Sequence, residues 1–283
     1  MPEPLIRNVS DTARWVATYR AQETARPDAH FRDPLADRLA GERGREIMNT
    51  LPRGREAGWS MVVRTVVFDE MILAAIAGGA DAVLCLAAGF DARPYRLSLP
   101  ADLTWIEADL PPLIAEKEAA LAGERPVCRL ERVAVDLADR AARKELFTRI
   151  ATSHRNVFVL TEGLVTYLAA EEVAALATDL HAAATFRHWA LDIVSPFVLR
   201  MVKHSWGPHL TQAPFRFAPP EAEHFFEPYG WRPAEVRSAI AEGERLDRRP
   251  PSGPFGRFLF RLLPRRLLRP FYNMNKLIRL ERV

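Results

Sequence analysis

Residues 83–97, VLCLAAGFDARPYRL, run from an apolar stretch through a small-residue turn into Asp91 and Arg93. Glycine in such a turn lets the backbone approach a ligand, and a carboxylate about 20 residues further on commonly holds ribose hydroxyls. Gly89 and Asp109 are 20 positions apart. Glu107 lies two residues before Asp109, and i, i+2 spacing in a strand puts both on one face, so spacing alone does not choose between them. Asp136 in VAVDL and Glu162 in LTEGLVTYL add carboxylates at two further strand ends. Each alone reads as readily as a helix N-cap or a solvated acid. Together over one sheet edge they make a negatively biased pocket, suited to a ribose, an adenine amino group and a positively charged centre. The turn is not a dinucleotide fingerprint, because Ala87 and Ala92 stand where glycines are needed and Asp91 would repel a pyrophosphate.

The elements that must position these residues alternate along the chain. AVLCLA (82–87), TWIEAD (104–109), RVAVDL (132–137), VFVLTE (157–162) and WALDIV (189–194) read as strands. Residues 111–122, 138–151 and 170–184 between them carry helical spacing. This order predicts an α/β fold with a doubly wound, mostly parallel sheet, whose ligands bind beyond the carboxyl ends of the strands. The first sixty residues read as helical, with Ser10 or Asp11 as a cap and a second short helix near residue 40. A further helix covers Met61 to Ile76 and stops at Gly78 and Gly79. NKLIRLERV alternates apolar and charged residues as a last strand inserted beside the others would. One domain is expected: a helical cap (1–79), a ligand-binding core (80–195) and a segment with the final strand (196–283).

The 283 residues are 48% hydrophobic, enough for a continuous core. Cys85 and Cys128 lack disulfide or zinc-ligand spacing, and a reducing cytoplasm is expected. No signal peptide and no apolar run of spanning length is apparent. The net charge of +3 divides unevenly: residues 255–283 carry +7, leaving −4 for the rest, which does not point to a nucleic-acid partner. Arginines interleaved with Leu and Phe over 255–271 fit either peripheral contact with an anionic membrane or snorkelling on a docked helix.

LAAGFDARPYRL, IEADLP, VDL and TEGLVTYL, in this order and spacing, resemble the leucine carboxyl methyltransferase family, and most closely its bacterial branch of polyketide O-methyltransferases. DTARWVATYRAQETARPDAHFRDPLA and VVRTVVFDEMI carry the same likeness, which covers roughly residues 10 to 195. The resemblance implies a class I, Rossmann-like methyltransferase fold with S-adenosylmethionine as methyl donor and S-adenosylhomocysteine as product. It implies that Arg64 pairs with the methionine carboxylate and that Gly89 lies under the methionyl part. It further implies that Asp109 holds the ribose, that Asp136 and Leu137 contact adenine, and that Glu162 lies near the cofactor's amino-acid end. Without the resemblance, Arg64 reads as a salt-bridge residue. One departure is Ala87, where many relatives carry glycine.

In-line methyl transfer from an activated sulfur needs alignment above all. A carboxylate acceptor needs no general base, whereas a hydroxyl of high pKa benefits from one. No residue is assigned that role; His204 leads a group that also contains His181, His188 and His209. The expected acceptor is a small-molecule carboxylate or hydroxyl, with protein C-terminal carboxyl methylation and a catalytically silent cofactor-binding scaffold as alternatives. SPFVLRMVKHSWGPHLTQAPFRF supplies apolar side chains that suit either an acceptor pocket or core packing. No tight metal-ligand spacing occurs, and no metal is expected.

Overall fold

Apolar runs bounded by turns become the centre of a seven-stranded sheet in the computed structural model, which describes residues 5–251 and 265–283. The strands are β1 (Ala82–Leu86), β2 (Thr104–Asp109), β3 (Arg129–Ala134), β4 (Val157–Thr161), β5 (Phe186–Val194), β6 (Trp231–Ser238) and β7 (Asn275–Arg282). Their spatial order is β3-β2-β1-β4-β5-β7-β6. All neighbouring pairs from β3 to β5 are parallel, and β7 runs antiparallel to both β5 and β6. The final strand is thus inserted between two earlier ones, as its alternation predicts.

Helices α1 (Val9–Thr24) and α2 (Ala36–Thr50) form a cap, followed by α3 (Gly58–Ala77). The short α4 (Arg93–Arg96) leaves β1, α5 (Pro111–Ala120) follows β2, α6 (Arg140–Ser153) follows β3, and α7 (Ala170–Ala182) precedes β5. Helices α8 (Pro196–Ser205), α9 (Ala239–Arg245) and α10 (Arg265–Tyr272) belong to the last third.

Both faces of β1 and β4 are buried, because helices cover the sheet on each side. Period-two alternation divides the side chains: Leu84, Leu86 and Val159 join one core, while Val83, Cys85 and Phe158 join another beneath Val63, Val67 and Phe68 of α3. Burying each such side chain contributes about 1.5–3 kcal/mol.

Several boundaries differ from the sequence expectation. Helix α1 is capped by Asn8, whose side chain accepts the Asp11 amide, rather than by Ser10 or Asp11. Helix α2 runs 15 residues, past a break at Gly41 where φ is 59°. β3 ends at Ala134, not residue 137, because it pairs with β2 in a register that matches Asp109 with Ala134. β6 was not foreseen. Cys85 and Cys128 are free and buried. No helix among the described residues is long and apolar enough to cross a membrane. Of the basic stretch 255–271, residues 255–264 lie outside the described residues.

Candidate functional site

The carboxyl ends of β1, β2, β4 and β5 open into a cavity of about 710 Å³ beneath the cap. Its size falls within the range of small-molecule and cofactor sites. Arg64, Gly89, Asp109 and Glu162 line it. Asp136 and Leu137 do not. Asp136 lies two residues past β3, exposed, where its carboxylate accepts the Ala138 amide at 2.9 Å and shapes the turn into α6.

Two carboxylates tie the strand ends together. Asp109 accepts the Gly89 amide at 2.7 Å on one oxygen and the Leu110 amide at 2.8 Å on the other, fixing the turn after β1 to the end of β2. Burial raises the Asp109 pKa, and these two amides oppose the rise. Asp192 on β5 accepts the Gly163 amide at 2.6 Å and the Arg64 guanidinium at 3.0 Å, so the loop after β4 is held in the same way. Asp192 was missed in the sequence, although a carboxylate inside the apolar run WALDIV signals a buried partner.

Structure also separates the two carboxylates that spacing left equivalent. Glu107 is fully buried under α5, paired with Lys117 at 2.8 Å and Arg132 at 3.0 Å, and stays out of the cavity. Burial raises its pKa against the pull of both cations. Asp109, one pleat further on, reaches the opening.

The pocket's negative bias is smaller than the sequence suggests. Arg93 donates to Asp69 at 2.6 Å and to Asp91 at 2.7 Å, and stands 2.8 Å from Glu162. Arg64 donates to the other Glu162 oxygen at 2.9 Å. Burial raises the Glu162 pKa, but Arg93 and Arg64 outweigh it and hold the carboxylate below its usual range. Asp91 behaves alike: burial opposes its charge, Arg93 and more distant cations prevail, and its pKa falls to about 2. Among the described residues, five carboxylates and four guanidinium groups line the cavity, close to a balance of charge.

Backbone strain sits at the same turn. Ala87 has φ 53° and Gly89 has φ 49°, both left-handed. A Cβ at 89 would stand 3.3 Å from that of Ala13 on α1, so the cap closes directly over this glycine. The left-handed conformation costs alanine about 1–2 kcal/mol, and glycine gives back about 0.5–1 kcal/mol in backbone entropy. Ala87→Gly is therefore expected to raise stability by about 0.5–1 kcal/mol, read as a higher urea midpoint with unchanged slope. A lowered midpoint would show that Ala87 carries no such strain.

Away from the strand ends the walls turn apolar. Trp15 and Tyr19 of α1, Val198, Met201 and Val202 of α8, and Tyr167 line this side. Trp15 meets Trp206 edge to face at 5.2 Å, and the Trp206 indole donates to the Pro52 carbonyl at 2.8 Å, which joins the cap to the segment after β5. Burial pushes the Tyr167 hydroxyl up to about 12. No histidine lines the cavity among the described residues. His204 is exposed on α8, His209 stands outside the lining, the His181 ring packs on Trp231, and His188 lies 3.3 Å from Arg279.

A protein from Mycobacteroides abscessus named "Putative S-adenosyl-L-methionine-dependent methyltransferase" is 35% identical over 200 residues, 61% of each chain. One of the same description from Parafrankia is 36% identical over 182 residues, covering 61% of this chain and 58% of the relative. The chain thus spans less than two thirds of the length of these curated relatives. The crystal structure of a DUF574 family protein from Streptomyces avermitilis shares the fold, with a TM-score of 0.63 and 15% identity over 96% of this chain and 97% of that one. The family model described as leucine carboxyl methyltransferase matches residues 13–181, more than half of the sequence. The chain belongs to the leucine carboxyl methyltransferase family.

Proposed function

We propose that this protein is an S-adenosylmethionine-dependent O-methyltransferase acting on a small-molecule carboxylate or hydroxyl acceptor. One observation carries the reading: a single cavity joins a polar wall of Arg64, Gly89, Asp109 and Glu162 to an apolar wall from α1 and α8. The polar wall fits the donor. An ionised carboxylate offers about four lone-pair positions, and Asp109 uses two on backbone amides, leaving acceptors for ribose hydroxyls. Arg64 has five N–H donors and commits two to Glu162 and Asp192, leaving others for the donor's carboxylate. Glu162, held ionised, favours the positively charged amino-acid end. Asp136 and Leu137, outside the lining, are left without a place in this pocket.

The bound donor supplies an activated methyl group; the chain supplies position. Gly89 and Ala13 bring backbone and cap close together at the turn, and the apolar wall offers the acceptor uncharged side chains. The lining tyrosines are poor proton acceptors at neutral pH, since burial raises the pKa of both Tyr19 and Tyr167. An acceptor already anionic at neutral pH suits this wall best, because no proton has to be removed. Apolar carboxylic acids, among them polyketide-like metabolites, meet that requirement.

The test is release of S-adenosylhomocysteine across a panel of aromatic carboxylic acids, phenols and a peptide ending in leucine. Turnover on the free acids supports the reading. Turnover only on the peptide would assign protein C-terminal methylation instead. Donor binding with no turnover on any acceptor would favour a catalytically silent scaffold.

A further inference from the structure

The cavity mouth carries apolar side chains that the fold leaves in water. Phe197 and Met201, four apart on α8, are 55% and 46% exposed while also lining the cavity. Phe271 of α10 stands on the same lining at 43% exposure. These are three of the seven large exposed hydrophobics among the described residues, and all three line the cavity. Helix α8 buries Val198 and Val202 and turns Arg200, Lys203 and His204 outward beside Phe197 and Met201. Arg266, on the helix that carries Phe271, is exposed too. Among the described residues no carboxylate lies within ion-pair distance of Arg200, Lys203 or Arg266.

We infer that this rim docks on an anionic phospholipid bilayer, with Phe197 and Met201 entering the interface and Arg200, Lys203 and Arg266 meeting lipid headgroups. Clustered exposed hydrophobics mark interaction surfaces, and a short helix with an apolar edge flanked by cations is the pattern of an interfacial element. Charge selects the occupant. A second copy meeting this patch about a twofold axis would bring the same uncompensated cations together, whereas an anionic membrane neutralises them. The docking stands independently of methyl transfer. Where that reading also holds, the cavity opens onto the bilayer, and an amphiphilic acceptor enters without crossing water.

Vesicle co-sedimentation without any donor tests this. The 283-residue chain is expected to sediment with phosphatidylcholine–phosphatidylglycerol vesicles at low salt, far less with phosphatidylcholine alone, and to be released by high salt. Each basic residue near such a surface contributes about fivefold to partitioning. Arg200→Glu with Lys203→Glu should therefore reduce it by at least ~25-fold. Phe197→Ser with Met201→Ser should reduce it as well, since both side chains are already exposed and their loss spares the core. Three results would overturn the inference: no sedimentation with anionic vesicles, sedimentation unchanged by both double variants, or a concentration-dependent dimer that the same variants break without vesicle binding. The second would move attachment to the basic C-terminal stretch.

Discussion

Asp109→Ala is expected to weaken S-adenosylmethionine binding by two orders of magnitude or more. The carboxylate acts twice in the proposed pocket: toward ribose hydroxyls, and toward the Gly89 and Leu110 amides that shape the wall under the donor. Hydrogen bonds to a charged group contribute about 1.5–3 kcal/mol each, so losing a pair amounts to about 3–6 kcal/mol, and each 1.4 kcal/mol is tenfold in affinity. Asp109→Asn separates the two roles. Its amide oxygen still accepts from one backbone N–H, but the negative charge is gone, and an intermediate loss is expected. Asp136→Ala, at an exposed turn outside the cavity lining, should change binding little. Calorimetric titration of the three variants checks the ranking. Equal losses for Asp109→Ala and Asp136→Ala would show that the cavity lining misplaces the site.

Arg93→Met should destabilise the fold by about 3–5 kcal/mol, the range for breaking a buried ion pair by removing one partner. Arg93 is only 3% exposed and meets Asp69, Asp91 and Glu162, so three carboxylates lose their common cation. Arg96 still reaches Asp69 and Arg64 still reaches Glu162, but among the described residues Asp91 keeps no direct ion pair. Its carboxyl, now held at about 2 against the opposing effect of burial, would rise and take up a proton more readily. Domains are stable by about 5–15 kcal/mol in total, so the variant is expected to unfold at much lower urea. Arg93→Lys keeps the charge but not the planar fork, and should fall between the two. A loss under about 1 kcal/mol for Arg93→Met, comparable to a surface pair, would contradict a stabilising role for the Arg93 network.

Much of this site was legible because parallel-sheet strands leave a strong trace. VFVL and AVLCL are unbroken apolar runs, and both fall in strands where the sequence places them. The likeness around LAAGFDARPYRL brought Gly89, Asp109, Arg64 and Glu162 to one cavity, and they do line it. What escaped depends on pairing across the fold. VAVDL looks like a strand end at Asp136, but β3 is an edge strand whose extent is set by β2. β6, WRPAEVRS, holds three charged residues and Pro233, and its existence rests on pairing with β7. The choice between Glu107 and Asp109 turned on Lys117 from α5, ten residues beyond Glu107 and invisible to strand spacing. Counting acids at strand ends overstated the negative bias for a related reason: Arg93 and Arg64 reach those acids only through the fold.

In the proposed pocket the turn from Ala87 to Asp91 and the Asp109 carboxylate hold a methyl donor. Isothermal titration of the folded protein with S-adenosylhomocysteine is the decisive experiment, because the product binds without turnover and needs no knowledge of the acceptor. Saturable one-to-one binding is expected, weakened at least a hundredfold by Asp109→Ala. Absence of binding by a protein whose unfolding transition is cooperative would contradict it.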